Sequence, residues 1–133
     1  MFTLNYSRML QEIVARYRAA GQPWPATMHA VAEWAISEGE WKPRHTDVVD
    51  LFATQLSKAL REEYYVDPQG RTVRTKHVAK EKRDGKTLPL WDDIRTADRR
   101  HMEIAFKQRR MQIVGDCKQL KIDVDSYNEN GNP

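Results

Sequence analysis

The chain has 133 residues, 40% hydrophobic and 31% charged, which is enough for one ordinary domain with a core and excludes a disordered tail. Its net charge of +3 and pI near 9.1 make a basic balance too small to matter unless it is clustered. A single cysteine, Cys117, excludes an internal disulfide and a cysteine-based zinc site, and no apolar run reaches membrane length.

Taken in order, residues 6–20 read as a helix. Tyr6, Leu10, Ile13, Val14 and Tyr17 fall on one face, Asn5 or Ser7 is placed to cap it, and Gly21 stops it. Gln22-Pro23-Trp24-Pro25 is a stiff loop. A second helix over 26–38 carries a stripe of Met28, Val31, Ala32 and Ala35, and Gly39 ends it. Trp24, Trp34 and Trp41 are expected in core and rim packing rather than a ligand cage. A third helix over 46–63 is capped by Thr46, with Asp47 and Asp50 in its first turn. Val49, Phe52, Ala53, Leu56 and Leu60 form the stripe it is expected to bury.

The chemistry then turns to β. Tyr64-Tyr65-Val66 has strand composition, and Asp67-Pro68-Gln69-Gly70 has the residues of a type I turn. The stretch 71–78 returns as the second strand of a hairpin. Residues 79–86 read as a loop with Asp84-Gly85 as a tight turn, and Leu88-Pro89-Leu90-Trp91 as an edge strand or extended return. A last helix is expected over 94–120, capped by Asp92 or Asp93. Met102, Ala105, Phe106, Ile113, Cys117 and Leu120 share a face, and Gly115 is a weak point. The tail 123–133 is polar, acidic and expected to fray. The fold class is therefore mainly α with a small β-hairpin, in one domain over 1–133.

The charge is concentrated. Between positions 71 and 86 there are seven bases (Arg71, Arg74, Lys76, Lys80, Lys82, Arg83, Lys86) and two acids (Glu81, Asp84), a local +5 in a chain that nets +3. Basic residues on a protruding β-ribbon suit the phosphates of a nucleic-acid duplex. Gln55, Lys58 and Arg61 at i, i+3 and i+6 of the third helix are candidate base readers. Arg100, Lys107 and Arg110 would extend the positive surface. Against this, the third helix holds two more acids than bases, and carboxylates at the leading end of a recognition helix repel phosphate.

Three helices, a hairpin with a basic loop and a longer helix resemble a winged-helix domain, a helix-turn-helix variant. The resemblance is architectural, spans about 26–91, and gives a winged-helix-like three-helix core followed by the long C-terminal helix. It implies DNA binding in preference to RNA, with the third helix in the major groove and the hairpin on the backbone or minor groove. Winged-helix domains also serve as protein-interaction modules, so a protein partner is the alternative. Ile104 and Met111, at i and i+7 outside the main apolar face of the last helix, are candidate homodimer contacts.

No enzyme signature is present. His29, His45, His77 and His101 share no metal-ligand spacing, and no nucleotide loop or nucleophile elbow occurs. The Asp123-Val124-Asp125 start of a calcium-loop pattern lacks the glycine and glutamate that complete it. No catalytic residue, metal or cofactor is expected. The opening MFTLNYSRML lacks a signal-peptide core, so the expectation is a cytoplasmic, non-membrane protein with Cys117 reduced and buried.

Overall fold

In the computed structural model, which describes residues 2–131, the chain runs α1 (Phe2–Ala19), α2 (Met28–Ser37), α3 (His45–Arg61), β1 (Tyr64–Val66), β2 (Thr72–Arg74), β3 (Lys76–Arg83), β4 (Lys86–Asp93) and α4 (Arg99–Glu129). It is mainly helical, with two small antiparallel strand pairs, β1–β2 and β3–β4. The contacts gather into two units, Met1–Phe52 and Ala53–Pro133, with the boundary inside α3.

The first unit is an α1–α2 pair closed by aromatic groups. Ile13, Tyr17, Val31 and Ala35 are its buried residues. Tyr17 donates its hydroxyl to the Pro23 carbonyl at 2.9 Å, and Trp34 meets the Tyr17 ring edge-on at 5.6 Å. That hydrogen bond lets a phenol sit in an apolar contact without leaving a polar atom unpaired. Trp41 Nε1 donates to the Tyr6 hydroxyl at 3.0 Å, and Trp24 stacks under Arg18 at the rim. The tryptophans are thus packing residues, as their surroundings in sequence suggest. Thr27 caps α2 by accepting from the Ala30 amide.

α3 begins one residue before the expected cap. Asp47 reaches back to accept from the Arg44 backbone and pairs with its guanidinium at 2.9 Å, so Thr46 lies inside the helix. The stripe expected to be buried is not: Val49, Phe52, Ala53 and Leu56 are exposed and Leu60 is half-buried. Amphipathic spacing identifies a face that seeks cover, not the cover itself.

The second unit is built on one extended run. Residues 72–74 pair with β1 and residues 76–83 with β4. Thr75, buried between them, donates its amide to the Glu63 carbonyl at 3.0 Å and accepts from the Ile94 amide at 2.9 Å. One residue therefore passes the chain from one partner to the other without losing a backbone bond.

The Asp67–Gly70 turn forms as its residues require, with Gly70 at φ +82°. The loop expected over 79–86 is instead the end of β3 and the tip of a second hairpin. Asp84 (φ +51°) and Gly85 (φ +76°) make a two-residue turn with the positive φ at both positions that a tightly twisted hairpin needs. Leu88 to Trp91 lie within β4. Pro89 stands opposite Lys80, whose own N–H and C=O point away to Gln108, so no ladder bond is asked of the proline.

Asp92 and Asp93 belong to β4, and Asp98 caps α4 by accepting from the His101 amide at 2.7 Å. α4 starts later than expected and continues to Glu129. It passes through Gly115 and through most of the tail expected to fray, of which 132–133 lie outside the described residues. Its first half covers one face of β3. Ala79 is fully buried there, the His77 ring meets Phe106 edge-on at 5.3 Å, and His101 Nε2 lies 3.0 Å from the His77 carbonyl. Its second half is exposed at every position but Asp125, and Cys117, expected to be buried, is among the exposed residues.

Candidate nucleic-acid interface

Side chains along β3 alternate between two environments. His77, Ala79 and Glu81 face α4. Lys76, Val78, Lys80 and Lys82 take the other face, with Trp91, Pro89 and Thr87 opposite the last three on β4. Between this hairpin and α4 a groove of about 620 Å³ opens in the second unit. Arg61 at the end of α3, Arg74, Lys76, Lys80, Trp91 and Arg109 of α4 line it. Its lining holds five cations and one carboxylate, Asp116. Arg61 lies over the Trp91 ring, 5.2 Å from the centroid, which fixes a guanidinium above an aromatic plane at the rim.

The cations differ in how freely they are held. Lys76 is half-buried and bound by both oxygens of Glu63 at 2.9–3.0 Å, with Asp93 at 3.9 Å, so its charge is already answered. Arg71 is tied to Asp67 at 2.7 Å and to Gln69 at 3.1 Å. Those bonds, led by the Arg71 backbone amide, hold the Asp67 carboxyl below its ordinary range. Arg100 reaches Glu81 at 2.9 Å, and Arg83 lies 3.6 Å from the same carboxylate. By contrast, Lys80, Lys82 and Lys86 make no ion pair among the described residues. Arg74 has a buried Nε with no hydrogen-bond partner among the described residues.

Gln55, Lys58 and Arg61 are all exposed on α3, and Lys107 and Arg110 on α4. Alternation placed Arg74 and Lys76 together, and both do line the groove. The +5 segment as a whole is divided between two faces of a ribbon, with Arg83 and Lys86 cross-strand neighbours at its tip. Asp47, one of the carboxylates set against phosphate binding, is neutralised by Arg44, whose side-chain hydrogen bond lowers its pKa. Ile104 is half-buried and Met111 is exposed at the groove edge.

Sequence reasoning missed Trp91, Arg109 and Gln108. The available signal was Asp84-Gly85 between two runs of matched length, which makes 76–93 one hairpin and carries Trp91 back beside Val78. No comparable signal marks Gln108, whose side-chain amide pairs with both backbone groups of Lys80 at 2.7 and 2.8 Å and occupies that point of the β3 edge.

Among the described residues no group of three or more His, Cys, Asp or Glu is arranged to hold a metal, and no helix is long and apolar enough to cross a membrane. Comparison with family models, with curated proteins and with solved structures finds no match to this chain.

Proposed function

We propose that this chain is a non-enzymatic nucleic-acid-binding protein that uses the β3–β4 hairpin and the adjoining groove on duplex DNA, in the manner of a winged-helix wing. The observation that carries this reading is the set of lysines that make no ion pair among the described residues, Lys80, Lys82 and Lys86, beside a groove that adds Arg61, Arg74 and Arg109. A cation already paired gains little from a phosphate, whereas an unpaired one releases the counter-ion condensed on the duplex. Gln55, Lys58 and Arg61 lie on the exposed surface of α3, where base edges are within reach of a helix seated in the major groove.

The test is fluorescence anisotropy of a labelled random-sequence duplex at two salt concentrations. Binding in the micromolar range at low salt, weakening steeply as salt rises, is the expected result. Lys80→Glu together with Lys82→Glu should reduce that affinity more than tenfold. Absence of binding at low salt would overturn the reading.

A further inference from the structure

From Arg109 to Gly131 every described residue of α4 except Asp125 is exposed. Met111, Gln112, Ile113, Gly115 and Asp116 line one end of the groove, and along this exposed half runs an ordered apolar stripe. Ile113, Cys117, Leu120, Val124 and Tyr127 follow one another at intervals of four, three, four and three residues. That alternation is the heptad repeat, in which two apolar positions per seven residues keep facing a neighbouring helix. Ile113, Leu120 and Tyr127 take the d positions, and Cys117 and Val124 the a positions. Ile113 is 54% exposed, Leu120 63% and Val124 47%, more apolar surface than an isolated helix leaves in water without cost.

We infer that this stripe is the seam of a parallel, in-register, two-stranded coiled coil with a second copy of the same chain. Charge decides both the partner and the direction. In a parallel pair, each g position meets the e position five residues later on the other helix. Here that sets Asp116 against the partner's Lys121, on both sides of the seam. An antiparallel pair would set g against g, bringing acids from Asp116 and Asp123 together. Within its own helix Lys121 reaches Asp125 at 2.6 Å, an exposed pair worth too little to prevent exchange. β-branched Val124 at a and Leu120 at d are the choices that favour two strands.

The start of the seam follows from the fold. Phe106, one heptad before Ile113, is engaged with His77, and the intervening a position is Arg110, so the apolar run begins after the turn of α4 that packs on His77. Ile104 and Met111 fall at b positions, off the seam. The face of α4 turned to β3 lies about a quarter to a third of a turn away, at ~100° per residue, and Ile113 and Asp116 at the start of the seam also line the groove. The inference does not rest on nucleic-acid binding. If both hold, a parallel pair places the two β3–β4 hairpins at one end of the coil, as two half-sites require.

The test uses the full chain under reducing conditions, with analytical ultracentrifugation across a concentration series. A mass rising towards twice the 15.6 kDa of one chain is expected. A chain that stays at 15.6 kDa throughout would overturn the inference. Direction is read from Cys117. In a parallel in-register pair it faces its own copy across the seam, within the roughly 7 Å between Cα atoms that a disulfide tolerates. Copper-phenanthroline, which takes two electrons as the two thiols lose two protons, should trap a covalent dimer. A dimer that is not trapped would overturn the parallel register. Leu120→Asp with Val124→Asp should give a monomer with an unchanged tryptophan fluorescence spectrum, because every tryptophan lies outside α4. A double variant that folds and still dimerises would place the interface elsewhere.

Discussion

The two hairpins have the same plan and opposite consequences. Both are antiparallel, both close through a tight turn with an aspartate and a positive-φ glycine, and both carry arginine or lysine at the tip. In the first, Asp67 accepts from the Gln69 and Arg71 amides and holds the Arg71 guanidinium, so the turn consumes its own cation. In the second, Asp84 makes no ion pair among the described residues, and Lys82 and Lys86 remain unpaired beside it. The ribbons also differ in support, since α4 packs along β3 of the second. A count of basic residues on a ribbon therefore says little about binding until each cation's nearest carboxylate is known.

The strongest way to break this comparison is to disturb the support. Ala79 is fully buried between β3 and α4, so Ala79→Leu should overfill the contact and cost about 1–3 kcal/mol, read as a lower midpoint in urea. Thr72→Leu on the exposed first hairpin should change the midpoint little. Equal effects would mean that α4 does not set the stability of the second hairpin.

A smaller effect sharpens the electrostatic half. Lys82→Ala should weaken duplex binding uniformly across sequences and lower the salt slope by about 1. Arg71→Ala should leave both unchanged, because that side chain is already committed to Asp67. Equal losses in the two variants would remove the distinction between paired and unpaired cations.

The smallest effect concerns pH. Burial, then the nearby Arg109, Arg74 and His101, depress the His77 pKa below 6.5, and its hydrogen bond to the Arg74 carbonyl only partly opposes this. A base whose folded pKa is depressed takes up its proton more readily when unfolded. Stability is therefore full above about 6.5 and declines as pH falls towards the folded pKa. His77→Gln should flatten that decline in melting temperature. A variant with the parent's pH profile would show that another group is responsible.

The helices, both turns and the general sites of strand formation were legible in the sequence because their causes lie within a few residues. Asp67-Pro68-Gln69-Gly70, Asp84-Gly85 and the apolar spacing of α1 and α2 are of this kind. The extent of β3 and β4 was not read, although Asp84-Gly85 pointed to it, because the lysine-rich run around the turn has the composition of a loop. The stripe on α4 was legible as a stripe, and its length was underestimated because a polar surface does not stop a helix that lacks proline.

What only the tertiary structure decided is which charges are answered and which apolar faces are covered. Lys76 is neutralised by Glu63 at a separation of 13 residues, Arg100 by Glu81 at 19, and the β3 edge is met by Gln108 at 28. No window of local sequence contains both members of such pairs. The same holds for burial: Ala79 and the apolar residues of α3 look equally suited to a core, yet Ala79 is buried and Val49, Phe52 and Leu56 are exposed. Backbone conformation is settled by neighbours along the chain, whereas free charge and bare surface are settled by neighbours in space.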